Sequence, residues 1–480
     1  MLVLGEQEVM VETDKKLTNI DVPSEFRDRI ATIDDGGKRK WVYPRKPKGR
    51  FYEARSWFAY LLLALMFSGP FITINGRPLL LLNFIERKFI IFGMAFWPQD
   101  SFIFVLATLT IIVGIILFTV VFGRLFCGWA CPQTIFMEMV FRKVEYLIDG
   151  NANRQRKLNA QAWNAEKLFK RGLKHTLFWS LSFLIGNTFL AYIIGKDALF
   201  LIISEPVTDH LAGFSFMLIF TNLFYYVFAF FREQVCTQVC PYGRLQSVLL
   251  DDKSIVVAYD FVRGEKRGNP QKAGAEVLGD CIDCNQCVEV CPTGIDIRNG
   301  TQLECVNCTA CIDACDTVMD KVKRPRGLIR YDSFGGIKNG EKLELTFRNT
   351  GYSAILSLLM IFFVFLLMSR TDVETTILRS YGTLFQAVGD NHFTNLYTVK
   401  VLNKTFDEMP IRLELINPPG LLTMVGGNLD IKGQDKSEGA FFIDLSGDLL
   451  KGTETKVEVA VFTNDRLVET VKTSFMGPRN

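Results

Sequence analysis

The chain contains two similar cysteine runs, Cys281-Ile-Asp-Cys-Asn-Gln-Cys-Val-Glu-Val-Cys-Pro292 and Cys305-Val-Asn-Cys-Thr-Ala-Cys-Ile-Asp-Ala-Cys315, which hold eight of its twelve cysteines. Each run has the spacing C-x2-C-x2-C-x3-C, and the first also has the following proline. This is the spacing of bacterial two-cluster ferredoxins, in which three closely spaced thiolates and a fourth from the other run hold each [4Fe–4S] cubane. The runs therefore predict a ferredoxin domain at about 275–325.

The ferredoxin pattern also predicts a crossed assignment of the eight ligands. The two predicted sets are Cys281, Cys284, Cys287 and Cys315 for cluster 1, and Cys305, Cys308, Cys311 and Cys291 for cluster 2. Zinc sites and disulfides are the alternatives. Zinc ribbons pair two C-x2-C units but need no third and fourth cysteine in each run, and disulfides are rare in the cytoplasm, where the topology below puts these residues.

The other four cysteines repeat a second pattern, Cys127-Gly-Trp-Ala-Cys131-Pro132 and Cys236-Thr-Gln-Val-Cys240-Pro241. If these segments are helical, the i, i+4 spacing puts both sulfurs of a pair on one face. An arginine precedes each motif (Arg124 and Arg232) and is expected to favour the thiolate. A single pair could simply be small apolar side chains. Two matching pairs at one depth favour a metal or redox role, with a single copper ion or a third iron–sulfur cluster as the candidates.

Five apolar runs have the length of a membrane span. They lie at 57–75, 101–123, 176–195, 211–231 and 352–369. Gly69-Pro70 is expected to kink or end the first of them. The segment 89–97 is apolar but too short to span, and its aromatic residues suggest a place at the membrane surface. These runs predict a polytopic helical membrane protein, whose first partner is the lipid bilayer.

The distribution of lysine and arginine orients these spans. The polar N-terminal arm, 1–56, carries eight basic residues from Lys38 to Arg55, and the connection 124–174 carries ten, whereas 196–210 carries only Lys196. Because basic loops stay in the cytoplasm, the arm and the segment 232–351 are expected to be cytoplasmic. Residues 370–480 are then expected on the outer side.

The outer segment has a different character. It contains alternating or apolar stretches at Tyr397–Leu402, Ile411–Ile416, Ala440–Leu445 and Lys456–Phe462, separated by Gly, Pro and Asn/Asp turns. Short strands at regular spacing predict a β-sandwich. The segment has no cysteine, so it forms no disulfide.

Composition excludes several classes of function. Lysine and arginine (54) nearly balance aspartate and glutamate (51), which argues against a nucleic-acid partner because there is no basic excess to neutralise phosphates. The only histidines are His175, His210 and His392, none within an apolar run, and there is no C-x-x-C-H motif. Intramembrane haem is therefore not expected. Redox chemistry would have to use the cysteines or a bound organic cofactor.

Five segments together carry a resemblance to a known family. They are FGRLFCGWACP (122–132), REQVCTQVCPYG (232–243), LLDDKS (249–254), CPTGID (291–296) and GLIRY (327–331). With them the chain resembles the FixG/RdxA/CcoG-type cytochrome c oxidase accessory proteins over nearly its whole length. The resemblance implies a multi-pass protein of the bacterial inner membrane with an immunoglobulin-like C-terminal domain in the periplasm. It also implies reduction of Cu(II) to Cu(I) for assembly of the cbb3-type oxidase.

Three functions remain open at this stage. In the first, a cupric reductase, electrons pass from a cytoplasmic donor through two [4Fe–4S] clusters to copper held by Cys127, Cys131, Cys236 and Cys240. The second is an electron-transfer subunit of a quinol or quinone complex. The third is a non-redox assembly scaffold whose outer domain recruits oxidase subunits. The expected partners are an electron donor, a copper ion or copper chaperone, and oxidase assembly factors or subunits.

Overall fold

The structure is a computed structural model that describes residues 31–478, apart from 35, 75, 87, 98–99, 269–277, 341–346, 381, 383–384, 390, 428 and 465. The first thirty residues of the predicted N-terminal arm, and the start of the predicted ferredoxin domain, lie outside the described residues. The chain divides into two compact units. Unit 1 comprises Met1–Ser68, Leu109–Ala191 and Leu199–Ser357, and unit 2 comprises Gly69–Thr108, Tyr192–Ala198 and Leu358–Asn480. All twelve cysteines belong to unit 1.

The first helix of the described chain is α1, Arg50–Ser68, and it ends where Gly69-Pro70 was expected to end it. A 3-10 turn follows, and the chain then forms two small antiparallel sheets with strand orders β1-β2 and β3-β4-β5. The strands are β1 (Thr73–Ile74), β2 (Arg77–Pro78), β3 (Leu80–Asn83), β4 (Lys88–Ile91) and β5 (Met94–Phe96). The apolar segment 89–97 is thus part of a sheet and does not form a span.

Among the described residues, four helical segments are long and apolar enough to cross a membrane. They are α2 (Ser101–Phe122), α7 (Ala165–Ile194), the segment Val207–Phe231, which contains α9 (Leu211–Tyr226), and α15 (Phe347–Met368). They confirm four of the five predicted spans as helices. Helix α1 is not among them because its first half carries Arg50, Glu53 and Arg55. The first span and the sidedness of the loops therefore stay predictions.

Short elements carry the cysteine motifs and the connections of unit 1. The helices are α3 (Leu125–Trp129), α4 (Pro132–Ile135), α5 (Arg142–Ile148), α6 (Ala152–Ala160), α8 (Lys196–Ser204), α10 (Pro241–Leu249), α11 (Phe261–Gly264), α12 (Gln286–Glu289), α13 (Ala310–Lys321) and α14 (Phe334–Asn339). Strands β6 (Val256–Tyr259) and β7 (Ile329–Asp332) pair antiparallel. The apolar core around them includes Ile312, Met319 and Leu328 and also takes in cysteines of both runs.

The C-terminal segment forms a β-sandwich, as predicted. One sheet has the order β12-β14-β10-β8, with β9 paired to β10, and the other has the order β13-β11-β15-β16. The strands are β8 (Val373–Arg379), β9 (Gln386–Ala387), β10 (His392–Asn403), β11 (Met409–Asn417), β12 (Leu421–Val425), β13 (Leu429–Ile431), β14 (Lys436–Ser446), β15 (Glu454–Thr463) and β16 (Arg466–Met476). Inward residues from both sheets, including Tyr397, Phe441 and Val459, are completely buried. Each of the four stretches predicted as strands lies within one of these strands.

Candidate iron–sulfur and thiol site

Three cysteines of the first run line a cavity. Its lining includes the whole predicted cluster 1 set, which is Cys281, Cys284, Cys287 and Cys315. Cys287 comes from α12, whereas Cys315 comes from α13, the helix in which the other run ends. The cavity is therefore closed by a helix of the other run. Tyr259 and Arg298 also line this cavity. Cys284 is the one exposed cysteine of the described chain.

Three cysteines of the second run line another cavity. Its lining includes the predicted cluster 2 set, which is Cys291, Cys305, Cys308 and Cys311. Cys287 also lines this second cavity, so the two cavities share a wall. The structure therefore sorts the eight thiols into the two crossed groups that the spacing predicts. Their assignment as cluster ligands stays a prediction.

The two runs also share a backbone conformation. In the first, Asp283 and Asn285, on either side of Cys284, have φ values of 53° and 56°. In the second, Asn307 and Thr309, on either side of Cys308, have φ values of 51° and 65°. Left-handed backbone is unfavourable for residues other than glycine, and least so for Asn and Asp. Its repetition at equivalent positions indicates that both loops are shaped to bind the same kind of ligand.

The donor set of each cavity fits an iron–sulfur cluster better than a single ion. In a cubane each cysteine binds its own iron, so four sulfurs surround a volume and do not meet at a point. Among the residues described, no three Cys, His, Asp or Glu side chains are grouped so as to hold one metal ion. Burial raises the pKa of Cys287, Cys305 and Cys315 to about 12. Cluster binding must therefore displace these protons, because the ligand is the thiolate.

The two C-x3-C-P motifs share one geometry, but it is not a continuous helix. Cys127 lies in α3 and Cys236 lies in a π-helical turn, Val235–Val239. The second cysteine of each pair has extended backbone and precedes a helix that begins with proline. Its φ and ψ are −61° and 124° at Cys131, and −67° and 111° at Cys240. The expectation of an i, i+4 pair on one helix face is therefore wrong, because a residue that precedes proline is disfavoured in the α conformation.

The four thiols of these motifs, which we call the thiol quartet, interact electrostatically. Burial is the main reason why the pKa of Cys127 is raised to about 11, and Cys131 and Cys240 raise it further. The pKa of Cys236 is raised to about 12 by burial, with Cys131 and Cys127 next in order. The structure thus brings the two motifs together. Arg124 does lower the pKa of Cys127, but burial outweighs it, so the expected preference for thiolate is not found in this state.

Arg232, the other arginine expected to act on a thiol, belongs instead to a buried group of charges. Its guanidinium donates to Glu145 at 2.8 Å, and Lys174 forms ion pairs with Glu145 at 3.3 Å and Asp149 at 2.7 Å. The cations hold the pKa of Glu145 at about 2, against the opposing effect of burial. These residues are far apart in the sequence, so no local pattern predicted the group. It fixes the backbone just before Cys236.

The first C-x3-C-P motif packs directly against the second cysteine run. A Cβ atom on Gly128 would lie 2.6 Å from the carbonyl oxygens of Val306 and Asn307. Cys127 packs in the same apolar cluster as Cys308 and Cys311. The absence of a side chain at Gly128 therefore allows Cys127 to pack against the second cysteine run.

Two polar contacts reinforce this packing. Trp129 Nε1 donates to the Tyr331 hydroxyl at 3.1 Å, and that hydroxyl donates to the carbonyl oxygen of Asn307 at 3.3 Å. Cys127 Sγ donates to Gln246 Oε1 at 3.3 Å, and Gln246 is completely buried. Trp129 and Tyr331 lie in two of the segments that carry the resemblance, 122–132 and 327–331, but neither segment predicts this contact. Gln246 has no local signal in the sequence.

Long apolar helices, paired cysteine-lined cavities and a separate sandwich define a membrane-anchored iron–sulfur protein. Three family models match different parts of the chain and agree with this class of protein. Residues 231–334 match a 4Fe-4S dicluster domain, 104–154 match a 4Fe-4S binding domain, and 363–478 match the immunoglobulin-like fold at the C-terminus of FixG. The model for 104–154 includes Cys127 and Cys131.

Curated relatives identify the family. Protein RdxA of Cereibacter sphaeroides is 33% identical over 406 residues, covering 81% of this chain and 84% of that protein. Nitrogen fixation protein FixG of Rhizobium meliloti is 33% identical over 435 residues, with 81% and 82% covered. The chain belongs to the FixG/RdxA family. A crystal structure of a FixG-related protein from Vibrio parahaemolyticus matches 22% of this chain and 97% of that one, at 20% identity and a TM-score of 0.19.

Proposed function

We propose that this protein reduces Cu(II) to Cu(I) on the cytoplasmic side of the bacterial inner membrane, for assembly of a cbb3-type cytochrome c oxidase. The observation that carries the proposal is the packing of Gly128 and Cys127 against the second cysteine run. Cys127, one of the four thiols, packs in one apolar cluster with the predicted cluster 2 ligands Cys308 and Cys311, which supports a short path for electrons.

The residues divide into three roles. The predicted cluster 1 cysteines include the exposed Cys284, so this cavity is the one that an electron donor can approach. The second cavity shares the wall at Cys287 and adjoins the thiol quartet. When bound, the two clusters supply one-electron couples between a reduced one-electron carrier of the cytoplasm and Cu(II). Each carrier molecule loses one electron, and each Cu(II) gains one and leaves as Cu(I).

The thiol quartet suits copper as a substrate. Thiolate ligands are soft and favour Cu(I) over Cu(II), so binding at the quartet favours the reduction. No three of its members are grouped for one ion among the described residues. A permanent structural metal would be expected to have a closed four-ligand site. The described quartet is not such a closed site, so we propose that copper binds there as a substrate.

The test is the double variant Cys131→Ser/Cys240→Ser in the full-length membrane protein. We expect iron content and the iron–sulfur EPR signals to be unchanged, while copper stoichiometry and the rate of Cu(II) reduction by a chemically reduced sample fall at least tenfold. The matched control is Ser357→Ala, which removes a hydroxyl from the membrane helix α15. Full copper binding and a full rate in the double variant would overturn the proposal.

A third iron–sulfur cluster at the thiol quartet is the alternative that a specific observation favours. The match of 104–154 to a 4Fe-4S binding domain includes the first pair of the quartet. The same double variant distinguishes the two functions. Loss of about four irons per chain, with no change in bound copper, would favour the third cluster.

A further inference from the structure

Two buried arginines contact the second cysteine run. Arg55, from α1, has 3% of its surface exposed and donates from Nη1 to the carbonyl oxygen of Cys308 at 3.3 Å. Arg124, just before α3, is 5% exposed and donates to the carbonyl oxygens of Leu303, of Cys305 at 3.4 Å and of Gly243 at 2.8 Å. Both guanidinium groups therefore lie against the backbone of predicted cluster 2 ligands.

Neither arginine forms an ion pair with a described residue. Within the described part of the chain, neither Arg55 nor Arg124 has a carboxylate oxygen within 4.0 Å, and the hydrogen bonds found for them go to carbonyl oxygens. The buried carboxylate of Glu138 is paired at 2.5 Å with Arg142. Asp313, the carboxylate within the second run, accepts from the backbone N–H groups of Phe51 and Tyr52 at 3.2 and 2.8 Å. Both guanidinium groups thus lie against the second run while its nearby carboxylates have other partners.

At the first cavity, by contrast, the arginine is paired with carboxylates. Its arginine, Arg298, donates to both carboxylate oxygens of Asp296, at 2.8 and 2.6 Å, and to Asp283 at 2.5 Å. One cation is thus matched by two carboxylates. Asp316, next to Cys315 in the sequence, adds a further carboxylate and accepts from the backbone N–H of Gly327 at 2.9 Å. Reduction of a cluster here would add negative charge to a site that already has carboxylates.

We infer that Arg55 and Arg124 make the second cluster the easier of the two to reduce, so that an electron entering at the first cluster comes to rest beside the thiol quartet. The inference rests on the proposed function for the assignment of the clusters. Reduction adds one negative charge to a cluster, and a buried cation stabilises that charge strongly because the surroundings have a low dielectric constant. Protein charges and hydrogen bonds are among the factors that set cluster potentials. The transfer oxidises the first cluster by one electron and reduces the second by one, with no bond made or broken.

A redox titration of the full-length protein followed by EPR tests this inference. We expect two one-electron steps, with the second cluster reduced at the more positive potential. The signal that Cys284→Ser alters identifies the first cluster. In Arg55→Gln the midpoint potential of the second cluster should become more negative while that of the first is unchanged. Arg55→Lys, which keeps the charge, should retain most of the original value.

Arg348→Gln is the control for loss of a positive charge elsewhere in unit 1. Arg348 pairs with Asp251 at 3.2 Å and lines neither cavity, so neither potential should move. Equal or reversed potentials in the unaltered protein, or equal shifts in Arg55→Gln and Arg55→Lys, would overturn the inference, even if the protein reduces copper. If Arg55→Gln fails to bind the second cluster, the order of potentials in the unaltered protein still decides. Failure to reduce copper, with the potentials in the expected order, would instead count against the proposed function alone.

Discussion

The two cysteine runs have the same spacing and the same backbone conformation but different surroundings. The first contains the exposed Cys284 and an arginine that is neutralised by carboxylates. The second is covered by the first C-x3-C-P motif and contacts two arginines that have no carboxylate partner among the described residues. Duplicated loops therefore need not have duplicated roles. The comparison suggests that one loop serves entry of electrons and the other serves their delivery.

The largest effect is expected from testing whether the loops exchange their fourth ligand. Cys291 belongs to the first run in sequence but lines the second cavity. We expect Cys291→Ser to remove the EPR signal of the second cluster and about four irons per chain, and to leave the first signal intact. Iron analysis with EPR of the dithionite-reduced protein makes the measurement. Cys315→Ser is the reciprocal variant and should remove the first signal. Loss of the signal belonging to each cysteine's own run would refute the crossed assignment.

A smaller effect is expected from separating the second run from the motif that covers it. In Gly128→Ala the new Cβ atom would meet two backbone carbonyl oxygens at 2.6 Å, so the backbone must shift. Overpacking of this kind costs about 1–3 kcal/mol. We expect a lower thermal unfolding midpoint and an altered EPR signal for the second cluster only.

Gly172→Ala is the matched control for this prediction. Gly172 lies in α7, and a Cβ there would meet no atom within 4 Å. Alanine is favoured over glycine in a helix by up to about 1 kcal/mol, so this variant should be as stable as the original or more so. Equal behaviour of the two variants would show that the contact at Gly128 does not support the second cavity.

The sequence was sufficient to predict the grouping of the eight cysteines, because ligand spacing reflects the geometry of the ligand itself. It was also sufficient for the strands of the sandwich, where alternation reports which side chains face the core. The error at Cys131 and Cys240 was avoidable. Both precede proline, which disfavours helical backbone at the preceding residue, so extended conformation could have been predicted from the sequence.

Other features of the site had no local signal in the sequence. Arg55 contacts Cys308 across 253 positions, and Arg124 contacts Cys305 across 181 positions. An arginine near the end of an apolar run is ordinarily solvated, so neither residue predicts this contact. The charge difference between the two cavities depends on tertiary packing. Only the structure could supply it.

The smallest predicted effect concerns the residue that follows the second cysteine of each run and has left-handed backbone. The first run has Asn285 there and the second has Thr309. A β-branched residue is less suited to this backbone than asparagine, and Thr309 also precedes α13 without giving it a side-chain cap. Asn285 likewise gives α12 no side-chain cap, so the expected gain comes from the left-handed backbone alone. Thr309→Asn should therefore stabilise the protein by up to about 1 kcal/mol, offset in part by loss of the hydrogen bond from the Thr309 hydroxyl to the carbonyl oxygen of Cys308.

The reciprocal variant, Asn285→Thr, tests the reverse substitution at the equivalent position of the first run. It should destabilise the protein, because it introduces the less suitable residue and removes the side-chain oxygen that accepts a hydrogen bond from Arg298. Thermal unfolding of the cluster-loaded protein, followed by loss of iron–sulfur absorbance, measures both variants. Opposite signs are expected for the two substitutions. The same sign for both would mean that the shared left-handed backbone does not make the two positions equivalent, and the structural comparison of the loops would then fail at this residue.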